Sequence, residues 1–142
     1  PTELFSRPVN RFVAGFIDAP AKPFIPSTLE GENLVLPWMR LPCPPLRTAP
    51  ADRRVDLGIR PEDLLAGTDA LAAPESCRFE AEITIVEPMG SQALLVLRAG
   101  ETDLQMRLEG RIHPTAGTRQ IFAFNPAELH VFDATTGLAL KL

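Results

Sequence analysis

"RFEAEITIVEPMGSQALLVLRAGETDLQMRL", residues 78–108, decides the fold. From Arg78 to Glu87 the residues alternate. Phe79, Ala81, Ile83 and Ile85 fall on one face, and Glu80, Glu82 and Thr84 on the other. A period of two is that of a half-buried antiparallel strand. "PMGSQ" then supplies a turn or bulge, and Ala93 to Leu97 is a continuous apolar run. "RAGETD" turns the chain again, after which Leu104, Met106 and Leu108 alternate with Gln105 and Arg107.

The same punctuation extends outward. Downstream, "HPTAGTR" is a loop, Gln120 to Phe124 a strand, "NPAEL" a turn or single helical turn, and Leu129 to Phe132 the closing strand. Upstream, Phe24 to Glu30 and Asn33 to Met39 form a hairpin about Gly31-Glu32. "RLPCPPLRTAPADRR" (40–54) is a proline-rich loop barred from a sheet interior. Val55 to Arg60 is a third strand. "EDLLAGTDALAAPES" (62–76) reads as a loop, with one helical turn at Pro61 to Leu64. Residues 4–18 read as a short helix, with Phe12, Val13, Phe16 and Ile17 in one apolar stripe and Asn10 as N-cap. Gly15 weakens that helix but permits close approach of another backbone.

One helix followed by seven to nine short, regularly spaced strands predicts a mainly β fold. A small Greek-key barrel of OB type is the most economical closure. The stretches 24–60 and 79–132 read as two halves of a composite β unit.

Composition sets the function classes. The 142 residues suffice for one domain, or two small ones sharing a core. The 15 prolines and the absence of tyrosine accompany a 45% apolar content that is globular rather than disordered. Net charge is −4, and Lys22 and Lys141 are the only lysines, so no basic stripe awaits a phosphate backbone. Cys43 and Cys77 lie far apart without a CxxC pattern and read as reduced thiols. No apolar run is long enough to span a bilayer, and no signal peptide is expected. A chain that starts at Pro1 is expected to be a piece of something longer.

Motifs for catalysis are weak. Neither lysine follows a glycine, so the chain lacks the Gly-Lys-Ser/Thr of a P-loop. "PMGSQAL" does not match a G-x-S-x-G elbow. His113 reads as a loop histidine and His130 as a half-buried strand residue; dispersed from the cysteines, they make no zinc cluster. Glu80, Glu82 and Glu87 read as a solvated polar face. Glu62 and Asp63 follow Pro61 and suit the first turn of a short helix. No catalytic residue, cofactor or metal ligand is expected in this chain.

Four segments in order carry a resemblance: "NRFVAGFIDAP" (10–20), "LGIRPEDL" (57–64), "ITIVEPMGSQALLVLR" (83–98) and "AGTRQIFAFNPAELHVFDATTGLAL" (116–140). Together they resemble the C-terminal regulatory region of ATP-binding subunits of carbohydrate-type ABC importers, the maltose and glycerol-3-phosphate importer ATPases. The resemblance covers nearly the whole chain. It implies an OB-type β domain of the kind called TOBE (21–142), preceded by a connector helix (1–20) from an upstream ATPase domain that would hold the Walker motifs, ATP and magnesium. By the same resemblance the chain is a regulatory and dimerisation module, not an enzyme in itself. Its implied partners are a second copy, the importer's membrane subunits through the parent protein, and a regulatory protein or small effector, with no nucleic acid. The implied location is cytoplasmic, at the inner face of the membrane.

Candidate contact residues are Arg11 on the connector, Gly58 in "LGIRPED", Gly90 and Ser91 at the strand turn, Gly117, and Phe132. Gly58 is expected to relieve crowding where neighbouring strands meet, Pro61 to stop the ladder, and Arg60 to pair with Glu62 or Asp63. Oxyanion-binding relatives of the OB type leave a second reading, a small-ligand module for an oxyanion or a sugar, with "MGSQA" (89–93) and "PTAGT" (114–118) as its loops.

Overall fold

The computed structural model describes residues 24–110 and 114–141. The expected connector helix, with Arg11, and His113 lie outside the described residues. Ten strands, one α-helix and three single 3₁₀ turns make up the described part. The chain forms two compact units, parting between Ile59 and Arg60 and again between Glu128 and Leu129.

The first unit is a five-stranded sheet. Its strands are β1 (Phe24–Glu30), β2 (Asn33–Val35), β3 (Arg40–Pro42), β4 (Arg54–Gly58) and β10 (His130–Asp133), in the order β10-β4-β1-β2-β3. Register places Ile25 and Val131 on either side of Leu57, and Ser27 beside Val55. Ile25, Val55, Leu57 and Val131 are all buried on that face. On the opposite face Phe24 meets Phe132 edge-on at 5.8 Å, and Ala139 packs against the pair. The last strand therefore belongs with the first four, not with 79–132 as the sequence suggested. Its buried Val131 and Phe132 fill both faces beside β4.

Two expectations in this unit change. The second strand ends at Val35, because Pro37 and Trp38 turn the chain and Leu36 N donates to Met39 O at 2.8 Å. Part of the proline-rich loop is then a strand after all. β3 is the sheet's edge, where Pro42 interrupts no interior ladder.

The second unit is also a five-stranded sheet. It contains β5 (Leu64–Ala66), β6 (Arg78–Met89), β7 (Gln92–Ala99), β8 (Thr102–Glu109) and β9 (Arg119–Phe124), in the order β5-β9-β6-β7-β8. Phe79 lies 6.2 Å from Phe122, its partner in register, and 5.1 Å from Phe124. Burying rings of this size contributes about 1.5–3 kcal/mol each. On the opposite face of β9, Ala123 packs with Ala70 and Ala73.

Ala70 belongs to, and Ala73 caps, a helix the sequence reading took for loop: α1, Gly67–Ala72. Six residues are too few to show a helical period. Arg78 holds its C-terminal end by donating to Leu71 O at 2.6 Å and to Ala73 O at 2.9 Å, satisfying carbonyls that a helix end leaves free.

β6 departs from strict alternation. Ile83 faces Leu97, but the next pair is Ile85 with Val96, so Thr84 is an extra residue. The bulge turns Ile85 outward, 55% exposed, although plain alternation puts it in the core with Phe79, Ala81 and Ile83.

Candidate functional site

The opening of the second unit explains "LGIRPEDL". Gly58 ends β4, an interior strand of its sheet, and pairs with Phe24 on one side and His130 on the other. Directly opposed residues in antiparallel strands share a face. A side chain at 58 would stand between Phe24 and His130, whose ring stacks on Phe132 at 6.4 Å. Pro61 then begins a 3₁₀ turn, Pro61–Asp63, closed by Asp63 N donating to Arg60 O at 2.9 Å. Burial pushes the Asp63 carboxyl up, Glu128 and Glu62 push it further, and Arg60 opposes them. The segment is the passage from one compact unit to the other, built to turn the chain.

The remaining candidates separate. Gly90 and Ser91 form a two-residue hairpin turn between Met89 and Gln92. Gly90 takes φ 73°, and a Cβ added there would meet nothing within 4 Å, so only backbone conformation requires glycine. Ser91 O accepts from Gly110 N at 2.7 Å. Gly117 is pinned to the bulge: its N–H donates to Ile83 O at 2.6 Å, and Ile83 N donates to Thr118 O at 2.8 Å. Phe132 is fully buried and packs with Phe24 and Ala139. Gly90 and Ser91 are exposed at the surface, whereas Gly58 and Phe132 are buried. "MGSQA" and "PTAGT" do not converge. They meet β6 at Met89 and Ile83, six residues and about 20 Å apart in an extended strand.

Sequence reasoning missed two surfaces. One is a cavity of about 480 Å³ whose lining includes Glu32, Pro42, Cys43, Pro44, Leu46 and Arg53. Arg53 holds φ 59° and closes a turn through its N–H to Pro50 O at 3.0 Å. Burial pushes the Cys43 thiol up, which keeps it protonated rather than nucleophilic. The other surface is the outer face of β6, β7 and β8 beyond the bulge, where Ile85, Leu94, Val96 and Met89 lie together in register. Among the described residues, no three His, Cys, Asp or Glu side chains are placed to hold a metal ion. No helix among them is long and apolar enough to cross a membrane.

Comparison with known proteins supplies the family. The TOBE domain model matches residues 57–132, from the end of β4 through the whole second unit to β10. The sn-glycerol-3-phosphate import ATP-binding protein UgpC of Cereibacter sphaeroides is 38% identical over 141 residues, covering 99% of this chain and 38% of that protein. The multiple sugar-binding transport ATP-binding protein MsmK of Streptococcus mutans is 31% identical over 148 residues, covering 99% of this chain and 39% of its own. The chain thus spans under two-fifths of the length of these relatives, which are ATP-binding subunits of carbohydrate-type ABC importers. A solved structure of the cytoplasmic molybdate-binding protein ModG matches with a TM-score of 0.61 at 13% identity, over 81% of this chain and 98% of that one. That likeness establishes the OB-type β architecture and nothing finer. With the family model covering more than half of its residues, the chain belongs to the TOBE domain family.

Proposed function

We propose that this chain is the regulatory and dimerisation domain of an ATP-binding subunit of an ABC importer for sugars or related solutes. The observation that carries the reading is the extent of similarity: 99% of the chain matches ATP-binding import proteins, over 38–39% of their length. On this reading residues 21–142 form the β domain and 1–20 connect it to an ATPase domain, which binds ATP and magnesium and carries out hydrolysis. The protein works at the cytoplasmic face of the membrane beside the importer's membrane subunits. Two copies stay joined through the β domains while the ATPase domains open and close. A regulatory protein or small effector that prefers one arrangement shifts its population and so changes turnover without touching ATP. Arg11, Gly90, Ser91 and Gly117 remain the proposed contact positions, with Gly58 and Phe132 supporting them from within.

A small-ligand module is the alternative, favoured by the fold shared with a molybdate-binding protein. The separation of the two candidate loops along β6 argues against a site within one chain. Sedimentation and calorimetry divide the readings. The regulatory reading predicts a concentration-dependent dimer and no heat on titration with molybdate or with maltose. A monomer that releases heat with either would overturn it.

A further inference from the structure

The outer face of β6 changes character at Thr84. Before the bulge it is charged: Glu80 pairs with Arg119 at 2.8 Å, and Glu82 stands in register between Arg98 and Arg119. After it the face turns apolar. Ile85 stands opposite Val96, Leu94 lies two residues along β7 on the same side, and Met89 lies beyond. Ile85 is 55% and Met89 51% exposed. The extra residue produces this arrangement. Without it, Ile85, Glu87 and Met89 would turn inward with a carboxylate among them. Leu94 and Val96 are half-buried and Glu87 stands between Ile85 and Met89, so exposed apolar residues meet polar flanks here, as they do on interaction surfaces.

We propose that this face, centred on Leu94, is the surface through which two copies of the chain pair; the inference rests on the dimerisation reading above and gives it a location. The order of charge selects a second copy as occupant. In one row across the sheet, Glu87 of β6 faces Leu94 of β7, and Leu94 faces Arg107 of β8. An apolar centre thus carries an anion on one flank and a cation on the other. A two-fold axis parallel to β7 lays Leu94 on Leu94 and Val96 on Val96. It also sets Glu87 of each copy against Arg107 of the other, giving the self-complementarity that a two-fold contact needs. Within one chain Glu87 and Arg107 are two strands, about 10 Å, apart, and neither enters an ion pair among the described residues. The next row sets Ile85 against Gln105, which is neutral. Arg98 lies four residues from Leu94, about 13 Å along the strand. There Asp103 holds Arg98 at 3.4 Å, and the axis sets Glu82 against Asp103 of the other copy, a like-charge contact at the rim of the face.

The test is sedimentation velocity on the whole chain, as wild type, as Glu87→Arg, as Arg107→Glu and as a one-to-one mixture of the two variants. The wild type should dimerise. Each variant alone should weaken the dimer by about tenfold or more, since like charges then meet twice. The mixture should recover a heterodimer, because each new residue finds its opposite across the axis. A wild-type dimer untouched by either variant would overturn this face and leave the dimerisation reading standing. A variant mixture that stays monomeric would overturn the pairing geometry. A wild type monomeric at every concentration would remove both inferences. Leu94→Asp gives an independent readout: its monomer should melt with the wild-type monomer. A lower melting temperature would mean that the chain's own residues cover the face.

Discussion

Thr84 Oγ1 donates a hydrogen bond to Val96 O across β6 and β7, at 3.2 Å. Thr84 is the residue that has no place in the ladder, and Val96 is the one its neighbour Ile85 faces. The bond gives the bulge a side-chain anchor on β7, while Gly117 and Thr118 hold the backbone of Ile83 from the other side. Thr84→Ala removes the hydroxyl and is expected to cost about 1 kcal/mol. Chemical denaturation should show a lower midpoint with an unchanged slope. An unchanged midpoint would mean that the bulge needs no side-chain anchor.

Gly58 leads to a steric prediction. Its cross-strand neighbours are Phe24 and His130. Gly58→Val places a branched side chain between them, and overpacking of this kind costs about 1–3 kcal/mol. Gly58→Ala should cost less. Thermal melting decides the point, and a valine variant that melts with the wild type would show that the sheet has room there.

Gly90 leads to a conformational prediction without a steric part. Its φ is 73° and no atom waits for a Cβ. Gly90→Asn should be nearly neutral, because asparagine tolerates left-handed backbone. Gly90→Val should cost about 1–2 kcal/mol. Equal melting temperatures for the two variants would contradict this account of the turn.

Asp63 leads to a pH prediction. Burial, then Glu128, then Glu62 raise its carboxyl above the usual value of 3.8, against the pull of Arg60. A raised folded-state value means that the charged form is disfavoured in the fold. Its contribution to stability is therefore complete below 3.8 and declines as pH climbs through the raised value. Asp63→Asn should melt with the wild type in acid and above it at neutral pH. A variant less stable than wild type at neutral pH would reverse the sign and contradict this reading.

Much of the fold was legible because burial here follows short alternations. Phe24 to Glu30 and the turn at Gly31-Glu32 could be read directly, since Ile25 and Leu29 fall inward, Thr28 and Glu30 fall outward, and Gly31 marks the turn. Ile85 could not. A bulge leaves no trace in hydropathy, and Ile85 continues the apolar period that Phe79 begins. β3 was hidden by Pro42, whose bar on sheet interiors does not apply at an edge. α1 was hidden by its length: Ala70 and Ala73 find their partner in Ala123, more than forty residues away. The candidate site was less legible than the fold. Gly90 and Gly117 announce turns in any sequence, whereas the face around Leu94 exists only once register sets Glu87 and Arg107 on either side of it. Phe132 carried the resemblance but lies in the core, where an aromatic residue of a strand most often belongs.

The central claim, that this β domain regulates an importer ATPase, is tested most directly by the reading frame upstream of Pro1 in the source genome. The account predicts an open frame that runs into Pro1 and encodes GxxxxGK[ST] and an ABC signature motif. A start codon immediately before Pro1, with no ATPase in frame, would contradict it and leave a freestanding OB-type domain in its place.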